Sequence, residues 1–311
     1  MNTYAGQTIG IVPHLTRPGA LLLAHEVIAS LEARGVGVRV PTTDAVKTGL
    51  ERWAHADDTF GEGLTMAFSL GGDGTMLRTV DLVTSNGVPV LGVNVGHLGY
   101  LTAIQPDELP GVLVRLLSGD YDVELRMTLA IEVHDSTTAS PTGLPGDERA
   151  PRARFIALNE AVLEKSSAGN TVRLGVSFND EPFTTYSADG LIVATPTGST
   201  AYAFSSRGPI VSPLLRAIVV VPVSPHMLFD RSLVLHGSET VQVEVLDGRA
   251  ATLFIDGRDS GLLAEGTVVV CCAGEHEAKL VTLEQRDFHG ILKAKFGLPQ
   301  PIERGRGRGE S

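Results

Sequence analysis

The residue pattern of this chain changes period near Asp120. Before that point, short β-branched runs alternate with segments of helical period. Gln7 to Val12, Val36 to Val40, Leu64 to Leu70 and Val88 to Val93 read as strands. Pro18 to Arg34 carries apolar residues at Leu21, Leu22, Ala24, Ile28 and Leu31, so a helix is predicted there with Gly35 as its C-terminal cap. Thr75 to Ser85 and Pro106 to Leu117 are predicted as two more helices, the second with Asp107 and Glu108 in its first turn, where the helix dipole favours acids. Polar Thr42 to Gly63 is expected to be mostly loop. Strands alternating with helices call for a mostly parallel sheet covered on both faces.

After Asp120, up to about Glu284, the helical period gives way to short apolar or alternating runs. Glu124 to Val133, Phe155 to Glu164, Val172 to Phe178, Gly190 to Ala194, Ala217 to Val223, Thr240 to Leu246, Ala251 to Ile255 and Thr267 to Ala273 are such runs. The pairs Asn179-Asp180, Asp247-Gly248 and Asp256-Gly257 are turn signals between them. At roughly 150 residues per domain, 311 residues suit two. The expected fold is an α/β N-terminal domain with a Rossmann-like parallel sheet (1–120) and an all-β, sandwich-like C-terminal domain (121–285), followed by a terminal segment (286–311). Ser136 to Arg152, rich in Ser, Thr, Pro and Gly, is expected to be an exposed excursion, and the Gly-Arg repeats at Arg304, Arg306 and Arg308 a solvated tail.

Composition narrows the partners. The chain has 25 Lys and Arg against 36 Asp and Glu, a net charge of −11. Nucleic-acid and anionic-membrane surfaces select the opposite sign, so neither partner is expected. The two cysteines, Cys271 and Cys272, are adjacent, and neighbours on a strand point to opposite faces. A disulfide scaffold is excluded, and a reducing, cytoplasmic location is expected. The N-terminus lacks the pattern of a secretory signal, and no run reaches about 18 apolar residues. The nine histidines show no metal spacing and no H-E-x-x-H. No G-x-S-x-G elbow is present.

Three clusters carry chemistry. Gly71-Gly72-Asp73-Gly74-Thr75 follows a predicted strand and precedes a predicted helix, the arrangement in which amides at a helix N-terminus receive phosphate. Glycine there permits positive φ and close approach of a ligand. Neither the Walker pattern nor the Rossmann pattern fits, since Leu77 stands where the latter needs its third glycine. An aspartate beside phosphate either takes a hydroxyl proton, holds a metal or merely caps the helix. The second cluster is Asp189-Gly190 followed by Thr195-Pro196-Thr197-Gly198-Ser199-Thr200-Ala201-Tyr202. Its hydroxyls suit either a polar ligand or a short capped helix, and Tyr202 suits stacking on a base. The third is Asn159-Glu160, a polar pair inside an apolar run that needs either a ligand partner or a solvated bend. Asp256-Gly257 reads as a hairpin turn, and His97 and His226 as loop donors near a site.

Together with Asn94-Val95-Gly96-His97-Leu98-Gly99-Tyr100-Leu101, these clusters resemble the NAD kinase family in identity, order and interval, over about residues 7 to 298. The resemblance implies phosphorylation of NAD at the 2′-hydroxyl of its adenosine ribose by ATP, or polyphosphate in some members, with Mg²⁺. It implies that the chain end returns to the first domain and that substrate lies between the two domains. It implies Asp73 as general base with Gly74 beside it, and Arg78 facing the substrate phosphates. It places Asn159, Glu160, Asp189, Thr200, Ala201, Tyr202 and Ser205 around the adenosine of NAD, and Gly71, Gly72, Gly74 and Thr75 in the phosphate loop. A homodimer or homotetramer is implied. Three positions depart from the common pattern: Ser187 where many members have Arg, Arg207 in place of the first glycine of Gly-Gly-Pro, and Arg258 in place of Gln. Arg207 is expected to return a positive charge to the site, and Arg258 to bias substrate or donor choice. The Gly-Gly-Asp-Gly-Thr turn is shared with diacylglycerol and sphingosine kinases, so a lipid kinase is one alternative. A catalytically silent dinucleotide-binding regulator is the other.

Overall fold

The computed structural model describes residues 4, 6–96, 99–135, 150–167, 169–246, 248–284 and 287–299. His97, Asp247, the tail arginines and most of the Ser136 to Arg152 stretch lie outside them.

The first part builds β1 (Thr8–Pro13), α1 (Pro18–Glu32), β2 (Gly37–Pro41), α2 (Thr42–Thr48), β3 (Ala54–His55), β4 (Met66–Gly71), α3 (Asp73–Val83), β5 (Val90–Asn94), α4 (Leu109–Leu117) and β6 (Asp122–Arg126). After α1 the chain reverses through Gly35 at φ +73, and the Val36 amide closes back on Leu31, as the predicted cap requires. The expected loop at Thr42 to Gly63 is corrected: it contains α2 and two 3-10 turns. Their helical tendency is weak, but α2 buries Asp44 and Ala45. α4 begins only at Leu109, so Asp107 precedes its first turn. Glu108 instead sits at the N-cap position, where its carboxylate accepts the Gln105 amide at 2.5 Å.

The second part runs through β7 (Leu129–His134), β8 (Ala153–Ala157), β9 (Glu160–Lys165), β10 (Val172–Phe178), β11 (Glu181–Ala188), β12 (Gly190–Ala194), α5 (Tyr202–Ser205), β13 (Ala217–Val223), β14 (Leu233–His236), β15 (Val241–Leu246), β16 (Ala251–Ile255), β17 (Arg258–Leu263) and β18 (Val268–Ala273). It closes with β19 (Ala278–Thr282) and α6 (Phe288–Phe296).

Three sheets result. The first has the order β3-β2-β1-β4-β5-β19-β6, parallel except for β6 against β19. The break in period at Asp120 is therefore not a break between sheets, since β6 and the late strand β19 both join the first. The other two sheets, β11-β10-β15-β18-β7-β8 and β14-β13-β12-β9-β16-β17, are antiparallel. They face each other across one apolar core that includes Leu129, Leu163, Leu174, Tyr186, Val220 and Leu253, which makes a β-sandwich. The α/β plus all-β architecture matches the expectation. Cys271 is buried and Cys272 half-buried, each free and on opposite strand faces.

Two of the predicted runs are each divided between sheets. Glu124 to Val133 becomes β6 in the first sheet and β7 in the second. Phe155 to Glu164 becomes β8 and β9, on opposite layers of the sandwich. Leu158, at that crossing, belongs not to the sandwich core but to the buried cluster that includes Met76, Leu77, Val80 and Leu101 of the first part.

Candidate active site

The Gly-Gly-Asp-Gly-Thr turn joins the last residue of β4 to the first of α3, with Gly72 as N-cap at φ −109 and ψ −164. None of its glycines adopts positive φ, so that part of the expectation is corrected. Their use is space. A β-carbon on Gly72 or Gly74 would meet no atom within 4 Å, so the backbone lies open to a ligand. Asp73 does not cap α3. Its carboxylate crosses to the loop after β5 and accepts the Tyr100 amide at 2.9 Å and the Leu101 amide at 3.0 Å. The carboxylate occupies the place of a side chain on Gly99, where any β-carbon would collide with it. The Asn94 to Leu101 motif is thus the partner of the Gly71 to Thr75 turn. Lys295 of α6 lies 3.9 Å from Asp73 and 4.0 Å over the Tyr100 ring.

Arg78 turns away from this loop. Its guanidinium meets Asp44 at 2.8 Å, Asp57 at 3.5 Å and the Thr43 hydroxyl at 2.8 Å. Asp44 is buried, and burial pushes its carboxyl up while Arg78 holds it down. The network ties α2 to α3.

Asn159 and Glu160 are fixed by a residue read from sequence only as a turn. Asp256 and Gly257, at φ +48 and +76, form the tight hairpin between β16 and β17. The Asp256 carboxylate then accepts three consecutive amides, Leu158 at 2.9 Å, Asn159 at 2.8 Å and Glu160 at 3.0 Å. The signal for this was absent from spacing, because the partners are 96 to 98 residues apart. Glu160 is 5 % exposed, and one of its oxygens is buried without a partner. Burial, and then the Asp256 charge, push its carboxyl up to about 8, against the Tyr202 amide that donates to it. Asp256 is itself pushed up by burial and held down by its three amides.

The hydroxyl cluster divides. Thr195 donates to the Leu158 carbonyl at 2.5 Å, and Ser199 donates to Pro196 at 2.7 Å while accepting the Val211 amide at 3.0 Å. Both are buried and structural. Gly198 lies so close to the Asn159 carbonyl that a β-carbon there would collide with it. Ala201 is the N-cap of α5 and Tyr202 its first residue, Ser205 is its exposed last residue, and Tyr202 is over a third exposed. Asp189 pairs with Lys165 at 2.6 Å and is near enough to Tyr202 to raise its phenol, after burial and Glu164. Ser187 bonds Thr171 at 3.1 Å and its carbonyl accepts the His226 amide at 2.7 Å. Arg258 pairs with Asp81 of α3 at 2.9 Å, which bridges the hairpin to the first part.

With this geometry in hand, comparison with known proteins decides the family. Residues 9–121 match the ATP-NAD kinase N-terminal domain and residues 158–283 the ATP-NAD kinase C-terminal domain. The NAD kinase of Moorella thermoacetica is 37% identical over 293 residues, covering 93% of this chain and 89% of its own. That of Thermobifida fusca is 37% identical over 310 residues, covering 96% and 92%. The chain belongs to the NAD kinase family. In fold it is similar to yeast NADH kinase complexed with NADH, with a TM-score of 0.82 at 24% identity, covering 96% of this chain and 89% of that one.

This NAD kinase family member has a cleft lined by residues of both parts. The cleft, of about 820 Å³, runs along Tyr100 and Leu101, Arg126, Thr197 and Thr200, and α6. Arg126, missed in the sequence, is a buried cation of this cleft, 2.6 Å from Glu124 and 3.3 Å from Thr197. Of the residues expected at the site, Thr200 lines this volume directly, and Asp73 reaches it through the two amides it holds. No described helix is long and apolar enough to cross a membrane. Among the described residues there is no group of three or more metal-ligating side chains.

Proposed function

We propose that Asp73 is the general base that takes the proton of the adenosine 2′-hydroxyl as the chain phosphorylates NAD with ATP. The observation that carries this reading is the Asp73 carboxylate, held by the Tyr100 and Leu101 amides at the open glycine turn, while the Asp256 hairpin that holds the Asn159 and Glu160 amides is joined to α3 by Arg258 and Asp81. The hydroxyl oxygen attacks the terminal phosphorus, its proton passes to Asp73, the bond to the bridging oxygen breaks, and ADP leaves. Such a transfer asks the protein for position and charge rather than covalent chemistry. Gly72 and Gly74 leave room for phosphate at the first amides of α3. Asn159, Glu160, Asp189, Thr200, Ala201, Tyr202 and Ser205 surround the adenosine, with the phenol of Tyr202 exposed enough to stack on a base. Arg78 faces phosphate in this reading while its Nε and Nη2 hold Asp44, Asp57 and Thr43.

Mg²⁺ enters as part of the substrate, carried on the ATP phosphates. The enzyme works as a cytoplasmic homodimer or homotetramer, which its family membership supports.

The test is a coupled assay in which an NADP-specific dehydrogenase reports product from NAD, ATP and Mg²⁺. Asp73→Asn is expected to lower kcat by ~10²–10⁴-fold with NAD affinity little changed. Normal turnover in that variant would remove Asp73 from the role.

A further inference from the structure

The transferring phosphoryl group spreads negative charge over three oxygens, and the proposed base adds one more negative charge beside it. The glycine turn supplies amides there but no cation. Arg78, the nearest cationic residue in sequence, is engaged by Asp44 and Asp57. Among the described residues, the cation that stands within ion-pair distance of Asp73 is Lys295, from the last helix of the chain.

Its geometry is that of a charge held near a reaction rather than of a structural bridge. At 3.9 Å the ammonium is beyond hydrogen-bond distance of Asp73. It lies 4.0 Å over the Tyr100 ring, whose face attracts a cation without using any of its three donors. The side chain is a quarter exposed. α6 has no buried residue of its own. It is seated by the Phe296 ring on Phe204, with centroids 4.8 Å apart, and Phe288, His289 and Ile291 line the cleft. One short helix thus touches α5, Tyr100 and Asp73 together.

We propose that Lys295 is a catalytic residue, whose ammonium meets the phosphoryl oxygens as the group moves from ATP to NAD. The inference rests on the reading of Asp73 given above. It assigns to the C-terminal helix a chemical part that no motif in the sequence marks.

The full chain with Lys295→Met, Lys295→Arg, Lys295→Ala and Phe296→Ala tests it. Lys295→Met is expected to lower kcat about 100-fold, with KM for NAD within about threefold and the melting temperature within about 2 °C. Lys295→Arg restores most of that loss, and millimolar ethylammonium restores part of it in Lys295→Ala, which a packing role would not allow. Phe296→Ala, which unseats the helix and leaves the charge, lowers kcat about tenfold. A Lys295→Met enzyme with undiminished kcat, in an assay where the unaltered chain makes NADP, overturns Lys295 alone. So does a loss that neither arginine nor ethylammonium repairs. An unaltered chain that makes no NADP overturns the reading of Asp73 and this inference with it.

Discussion

Asp73 and Glu160, two carboxyl groups of the proposed site, are held in opposite ways. Asp73 has its side chain about one-third exposed and takes both amide partners from a loop 27 and 28 residues away. Glu160 is buried, keeps one oxygen without a partner, and depends on a hairpin 96 residues later for its backbone position. The first half of the site is solved with glycine: an open turn, and no side chain at Gly99. The second half is solved with a side chain, the Asp256 carboxylate, at a point where one strand run crosses between two layers. A group presented at a surface is available to exchange a proton with a ligand. A group stored in the interior keeps its proton and is available to recognise one.

The largest effect that would test this contrast is on stability against pH. In the unfolded chain Glu160 ionises near its ordinary 4.5, whereas in the folded chain it holds its proton to about 8. Between those values the unfolded state has released a proton that the folded state retains. The contribution of Glu160 is therefore neutral below about pH 4.5 and increasingly unfavourable as pH rises to about 8. Glu160→Gln removes the titration. Relative to the unaltered chain, the variant is expected to gain up to roughly 5 kcal/mol by pH 9, read as the difference between two urea-melt series from pH 5 to 9. Parallel curves would mean that Glu160 is ionised in the folded protein, and the contrast with Asp73 would disappear.

The next effect concerns what holds the second half in place. Asp256→Ala strips three consecutive amides of their acceptor, at an expected cost of about 3 kcal/mol. Hydrogen exchange at Leu158, Asn159 and Glu160 should accelerate together, while exchange at Tyr100 and Leu101 stays as it was. KM for NAD should rise about tenfold and kcat change less, since a displaced binding pair weakens ground state and transition state alike. Equal acceleration at Tyr100 and Leu101 would show that the halves are one cooperative unit.

The same contrast explains what was legible in the sequence. The turn at Gly71 to Thr75 stands between its own strand and helix, and each of those has a local period, so the strand–turn–helix could be placed before any contact was known. Asn179-Asp180 and Asp256-Gly257 have the chemistry of two-residue turns and form them, with positive φ at all four positions. Asn159 and Glu160 stood out because polar residues in an apolar run need a reason, and the crossing between layers is that reason. Long-range placement was not legible. Nothing in Thr42 to Thr48 announces a helix whose Asp44 is buried against Arg78, 34 residues on. Nothing in Ala278 to Thr282 says that it enters the first sheet between β5 and β6. Four hydroxyls close together suited either a ligand ring or a short capped helix, and Thr195 and Ser199 are spent on the backbone of the loop itself. Local pattern reports which groups are present, and tertiary partners decide which of them are left over for a ligand.

The smallest effect asks whether the second half would accept the solution used by the first. Arg207 follows α5 at φ +66, with its amide bonded to Phe204 and the next amide to Ala203. This is the left-handed close of a short helix, a conformation that costs a residue with a β-carbon about 1 kcal/mol relative to glycine. Arg207→Gly is therefore expected to stabilise the protein by about 1 kcal/mol, partly offset by the greater freedom of glycine in the unfolded chain. Arg207→Ala keeps the β-carbon and should gain nothing. If the guanidinium serves the site as the sequence suggested, both variants raise KM for NAD or ATP, so stability and affinity move in opposite directions in the glycine variant alone. A glycine variant that is more stable and binds both substrates as before would mean that Arg207 carries strain without a return in binding. The second half would then differ from the first by history of sequence rather than by need.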